Sequence, residues 1–202
     1  MSRENESVAN IIMTAVACND VATVEAMCKS ATKVALTSAL RFAVFKHHDL
    51  NIVRLLGERI EELLWDNGIF PGLLTMALQR NNIAAFDVLM EIGVHNRDYQ
   101  KCLHEAVMRG YTQCVQKILP RCDISSFGHQ LLAQACFNQY EQMVDLLYAH
   151  CDPHQALEFL NQEKVTEDRK HLLVERIERE RLHQTLSAAT CFDKHSFGTR
   201  KI

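Results

Sequence analysis

Eight cysteines and ten histidines are spread through 202 residues, and these are the side chains able to act as nucleophiles, general bases or soft metal ligands. The densest group is His150-Cys151-Asp152-Pro153-His154, with Cys122 upstream. Imidazole and thiolate suit zinc, but a structural zinc site is built from two ligand pairs of short, regular spacing, and no second pair follows. The segment reads better as a polar helix-end turn in which Asp152-Pro153 starts the next helix. His47-His48-Asp49 sits between two apolar-periodic stretches and reads as a turn, with Asp49 capping the helix after it. A cysteine nucleophile needs a nearby base and an orienting group, and the many possible Cys/His pairings do not select one. No glycine-rich phosphate loop, serine elbow or paired-carboxylate motif is present. A Cys/His-dependent enzyme or metal-binding protein on a helical scaffold is therefore the alternative class. The first expectation is a protein without catalytic residues, bound metal or cofactor.

Bulk properties narrow the classes further. A net charge of −3 and a pI of about 6.4 leave no footprint for non-specific nucleic-acid binding. No run reaches the roughly 18 apolar residues that a membrane span requires, and the polar opening Met1-Ser2-Arg3-Glu4-Asn5-Glu6 is unlike a signal peptide. A soluble, cytoplasmic protein is expected, with its cysteines as reduced thiols. Cys18, Cys28, Cys102, Cys114, Cys136 and Cys151 fall at or beside helical core positions, where a thiol behaves as a small apolar group. Only seven glycines and three prolines punctuate the chain, which argues for helices rather than many short strands.

The elements that position these residues repeat. Taking Ala106 as position zero, Leu103 lies at minus three, Val107 at plus one, a turn at plus four, and Val115, Ile118 and Leu119 at plus nine, twelve and thirteen. The same skeleton fits Ala15, with Ile12, Val16, Val24, Met27 and Cys28. It fits Ala43, with Leu40, Val44, Ile52, Leu55 and Leu56, and Ala77, with Leu74, Leu78, Phe86, Leu89 and Met90. A fifth copy centres on Ala135, with Leu132, Cys136, Val144, Leu147 and Tyr148. The alanines recur every roughly 28 to 34 residues, a period that marks helix pairs stacked into an array. A small residue at position zero suits close approach of adjacent inner helices, where a larger one would overpack. In the second copy Glu58 to Trp65 lengthen the outer helix, or form a short one of their own, before Asp66-Asn67-Gly68. In the third, Pro71 stands near the start of the inner helix and Gly93 at the stop of the outer one.

The fourth copy resembles the ankyrin repeat, carried by Leu103, His104, Ala106, Gly110, Val115, Ile118 and Leu119. The other four keep the apolar and alanine positions but lack the Thr-Pro pair, the histidine and mostly the glycine, so they are similar to degenerate ankyrin repeats. The resemblance implies that the His104 imidazole braces the backbone of the adjoining turn. It also implies projecting hairpin loops, which repeats of this length leave little room to form.

The expected fold is all-α: a solenoid of about five ankyrin-like helix-turn-helix repeats over residues 7–151, after a disordered polar start at 1–6. Asp152-Pro153 opens a helix outside the repeat template, and Thr166 precedes a long charged helix with the stripe Leu172, Leu173, Ile177, Leu182 and Leu186. Residues 152–191 are expected to cap the array, the alternative being that the charged helix docks on a partner or a second copy, with 192–202 as a polar tail. In the ankyrin family, positions plus two and plus three contribute to a concave binding face. Here they are Ala17 and Cys18, Phe45 and Lys46, Gln79 and Arg80, Met108 and Arg109, Phe137 and Asn138. Phe45, Met108 and Phe137 would form an apolar band edged by Lys46, Arg80 and Arg109, suited to an apolar protein partner carrying acidic groups. The same large residues can equally fill core space left by short loops. The function implied is non-catalytic protein binding, as an adaptor, an inhibitor or an effector acting in a host cytosol, with the oligomeric state open.

Overall fold

The computed structural model describes the backbone of residues 3–64, 72–92 and 99–196. Among these residues are twelve α-helices, one short 3-10 turn and no strand. They are α1 (Arg3–Ala17), α2 (Val21–Cys28), α3 (Lys33–Lys46), α4 (Leu50–Leu64), α5 (Leu73–Gln79), α6 (Ile83–Ile92) and α7 (Tyr99–Met108), then α8 (Thr112–Ile118), α9 (Gly128–Phe137), α10 (Glu141–Tyr148), α11 (Pro153–Gln162) and α12 (Glu167–Ser196). The class is all-α, and within each unit inner helices alternate with outer ones in chain order. Alpha-8 ends in a 3-10 turn at Leu119–Arg121 because Pro120 has no amide hydrogen to continue the ladder.

Burial follows the repeat. Positions minus three, zero, plus one and plus nine are buried in all five copies: Ile12, Ala15, Val16 and Val24 in the first, and Leu132, Ala135, Cys136 and Val144 in the fifth. Plus twelve and thirteen are less uniform, with Met27, Leu55 and Tyr148 half-buried. The inner-helix rule is therefore strict and the outer-helix rule looser, because an outer helix has one side open to water.

The turn is shared more widely than its sequence. Position plus four holds a positive φ in every copy: Asn19 at 55°, His47 at 58°, Asn81 at 56°, Gly110 at 73° and Gln139 at 60°. The amide of the residue after it donates to the carbonyl of position zero, as in Asp20 N to Ala15 O at 2.9 Å, His48 N to Ala43 O at 3.0 Å, Asn82 N to Ala77 O at 2.8 Å and Tyr140 N to Ala135 O at 3.0 Å. This left-handed closure satisfies carbonyls that the end of a helix leaves unpaired. Capping side chains then start the first three outer helices, whereas α8 and α10 begin after Tyr111 and Tyr140 without one. Asp20 accepts from Thr23 N, Asp49 from Asn51 N at 2.7 Å, and buried Asn82 from Ala85 N at 3.1 Å while donating to Val44 O at 2.9 Å.

The chain forms two compact units, Met1–Ala106 and Val107–Ile202, which divide within α7. In the first, α3 packs against α1 and α5, and α4 against α2 and α6, with Arg54 Nη2 and Glu91 Oε2 paired at 2.7 Å across α4 and α6. In the second, α9 packs against α10, α11 and α12, and α10 against α8.

Several boundaries differ from expectation. Alpha-1 begins at Arg3 rather than Ser7, since Arg, Glu and Asn cost a helix little and no breaker intervenes. Alpha-4 is one helix through Leu64, so the extra length of the second copy extends its outer helix. Alpha-12 continues to Ser196, beyond the expected end at 191. Asp66-Asn67-Gly68, Pro71 and Gly93 lie outside the described residues.

Alpha-11 and α12 leave the residue template as expected, with Leu160, Asn161 and Arg169 at positions zero, plus one and plus nine, yet they share its turn. Lys164 has φ 53°, and Val165 N donates to Leu160 O at 3.0 Å, so α11 and α12 close with the same turn as the five pairs before them. Leu160 stands where the others have alanine. Asp152 caps α11 through the amides of His154 and Gln155, with Pro153 in the first turn, as the sequence suggested.

Alpha-12 is held by Leu173 and Ile177, both buried, by an ion pair between Arg176 and Asp145 of α10, and by Tyr148 Oη donating to Glu180 Oε2 at 2.6 Å. The stripe drawn from the sequence does not stay on one face. Leu182 and Leu186 are 63% and 66% exposed, because Leu182 follows Leu173 by about two and a half helical turns of 3.6 residues and so points the opposite way.

Candidate functional site

Positions plus two and plus three sit at the C-terminal ends of the inner helices, where the alanine and its neighbour at plus one already face the core. A residue at plus two is rotated roughly 200° from position zero and must face outward. Phe45 is 37% exposed, Met108 53% and Phe137 40%, with Lys46, Gln79, Arg80 and Arg109 also exposed and Asn138 half-buried. The alternative that these large residues complete the core is not what the structure shows.

In the first unit, the Arg80 guanidinium carbon lies 3.6 Å from the centroid of the Phe45 ring, and the Lys46 ammonium 5.5 Å from the same centroid. The structure thus brings Phe45, Lys46 and Arg80 together, with the cations on the ring rather than at the edge of an apolar band. Backbone placement supports this contact. His47 Nε2 donates to Arg80 O at 2.9 Å, tying the turn of one repeat to the next. Gln79 Nε2 reaches Glu105 Oε2 at 3.4 Å, turning its amide toward the following inner helix.

The second unit is built differently. Phe137 is stacked by Arg169 at 4.3 Å, and Arg169 Nη1 donates to Phe137 O at 2.7 Å. The Gln139 side-chain amide donates to the carbonyls of Cys136, Asp168 and Arg169 at 3.2–3.3 Å, which fixes the first turn of α12 beside α9. Met108 O accepts a long hydrogen bond of 3.5 Å from Tyr140 Oη, whose ring packs over Gly110. Phe137 also lines a cavity of about 420 Å³ with Ala133, Gln134, Phe159, Leu160 and Val165. Arg169 and Phe159 were not singled out in the sequence. No repeat signal points to Arg169, a charged residue where the template has a buried apolar one.

The cysteine and histidine groups do not converge. Cys122 and His150 border one cavity of about 490 Å³, whereas Cys151 and His154 border another. Among the described residues, no group of three or more His, Cys, Asp and Glu side chains is placed to hold a metal ion. Burial pushes the Cys136 thiol up to about 12 and the Cys151 thiol up to about 11, and burial together with Asp123 raises Cys122. These sulfurs are protonated at neutral pH and lack the thiolate that a nucleophile requires. His47 and His48 serve the turns: His48 Nδ1 lies 2.9 Å from Asn19 Oδ1, which also accepts from Asp49 N at 3.1 Å. Burial lowers His104, favouring the neutral imidazole suited to a structural role. Among the described residues no helix is long and apolar enough to cross a membrane.

Residues 74–156 match the family model of ankyrin repeats, in three copies. No curated protein and no solved structure matches the chain. The match covers the third to fifth helix pairs and the start of α11. The first two pairs precede it, and the sixth begins at its edge; common buried positions and the left-handed turn join the first two to the series, and the turn alone joins the sixth. Ankyrin repeats form helical solenoids, generally mediate protein–protein interaction and are typically non-enzymatic.

Proposed function

We propose, taking the ankyrin repeats of residues 74–156 as the premise, that this protein binds a partner protein without catalysis, through the residues at plus two and plus three of its inner helices. The observation that carries the reading is the exposure of Phe45, Met108 and Phe137 at one register position, directly after a position buried in every repeat. Exposed aromatic and sulfur-containing side chains, flanked by Arg and Lys, have the composition of interface centres rather than of a solvated face. The protein would act by holding a partner in place or by covering a surface that the partner needs, the work of an adaptor, an inhibitor or an effector in a host cytosol.

The test is affinity capture with the full chain, followed by charge reversal at Arg80 and Arg109 and by Met108→Ser and Phe137→Ser. Loss of a captured protein in these variants, with their helix content intact, supports the reading. A partner whose affinity and salt dependence survive all of them removes it.

A further inference from the structure

We propose that the stacked pair of Arg80 on Phe45, with Lys46 and Arg41, is a receptor for carboxylate side chains of an acidic segment in the partner protein. This rests on the protein-binding reading above and assigns the chemistry of its first-unit part. A guanidinium carbon 3.6 Å from a ring centroid holds the Arg80 side chain against Phe45 by a cation–π contact. Its N–H fork can then bind a carboxylate with two parallel hydrogen bonds. The stack also fixes a side chain that would otherwise lose rotamer freedom on binding.

Further cations lie beside this contact. Lys46 stands over the same ring, and Arg41, one helical turn before Phe45 on α3, is exposed on the same face. Among the described residues, none of the ion pairs or side-chain hydrogen bonds gives Arg41, Lys46 or Arg80 a carboxylate partner. The Glu105 carboxylate on the next inner helix is reached by the Gln79 amide at 3.4 Å. Three cations thus share a patch on a protein whose net charge is −3. This imbalance is local and favours an acidic peptide over the extended basic surface that nucleic acid requires.

The experiment is a titration of the isotope-labelled full chain with a peptide of about 12 residues alternating Glu and Leu, followed by nuclear magnetic resonance. The expected result is a saturable shift of the Arg80 Nε–H signal and the Phe45 ring signals. Affinity should fall about tenfold in Arg80→Lys, which keeps the charge and removes the fork, and comparably in Phe45→Leu, which removes the stack. His47 bonds the backbone carbonyl of Arg80, so the turn survives both changes, and circular dichroism verifies it. The same peptide with Lys in place of Glu should not bind. No saturable shift at Arg80, or equal affinity in Arg80→Lys, overturns the proposal. Tighter binding of a thymidine oligonucleotide of equal charge also overturns it, in favour of nucleic acid. If a captured partner depends on Met108 and Phe137 but is indifferent to Arg80→Lys, the protein-binding function stands and this assignment falls.

Discussion

A left-handed backbone costs an ordinary residue about 1–2 kcal/mol, and the turns differ in how they meet that cost. Gly110 avoids it, Asn19 and Asn81 tolerate it, and His47, Gln139 and Lys164 carry it. Gln139 is compensated by the three carbonyls its amide reaches. Lys164 is exposed and makes no such bonds, so Lys164→Gly should stabilise the protein by up to about 1 kcal/mol in urea unfolding, whereas Gln139→Gly should not. Gly110→Ala should destabilise by at least about 1 kcal/mol, because its φ is 73° and its Cβ would come within 3.0 Å of the Tyr140 ring. His104 sets a pH dependence. Burial holds its pKa below the ordinary value near 6.5, so its contribution to stability is present above that value and is lost as pH falls toward the folded-state pKa. Thermal melts between pH 7.5 and 5 should show this loss, and His104→Gln should flatten it. The positions of these residues were legible in the sequence. Their backbone strain was not, because only glycine and asparagine advertise a left-handed turn.

At the scale of elements, the alanine column and the last helix make opposite points. All five alanines are buried, and Ala43→Leu should cost about 1–3 kcal/mol by overpacking between α1 and α5. Chemical denaturation of the variant checks this directly. Alpha-12 is attached by two polar links as well as by Leu173 and Ile177. The Tyr148 hydroxyl, driven up to about 12 by burial and then by the Glu180 carboxylate, remains a donor throughout the physiological range. Tyr148→Phe combined with Arg176→Gln should speed amide exchange in α12 by about tenfold or more while leaving α9 protected, since each link contributes roughly 1 kcal/mol. Uniform exchange across both helices would show that α12 opens only with the rest of its unit. The helix pairs themselves could be read from periodicity, but the split of the α12 stripe required knowing which face the body covers.

Across the whole molecule, the cysteines report how tightly the repeats close. Cys18 is exposed, while Cys28, Cys102, Cys114 and Cys136 are buried. In native protein a thiol reagent should modify Cys18 first, and Cys136 only at the rate of unfolding, as mass mapping over time would show. Rapid labelling of Cys136 would mean that the fifth pair opens independently. The sequence by itself determined the all-α class, the register of five helix pairs and the buried positions within them, because each follows from a local 3.6-residue period and a repeated small residue. For Phe45, Met108 and Phe137 it left a binding face and core filling equally open, and their exposure came from the fold. Only the tertiary structure decided that α11 and α12 close as a sixth pair, that the chain divides within α7, and that Arg80 and Arg169 lie on aromatic rings from other helices. Those contacts join residues more than thirty positions apart, and no local period encodes which distant side chain will meet a given face.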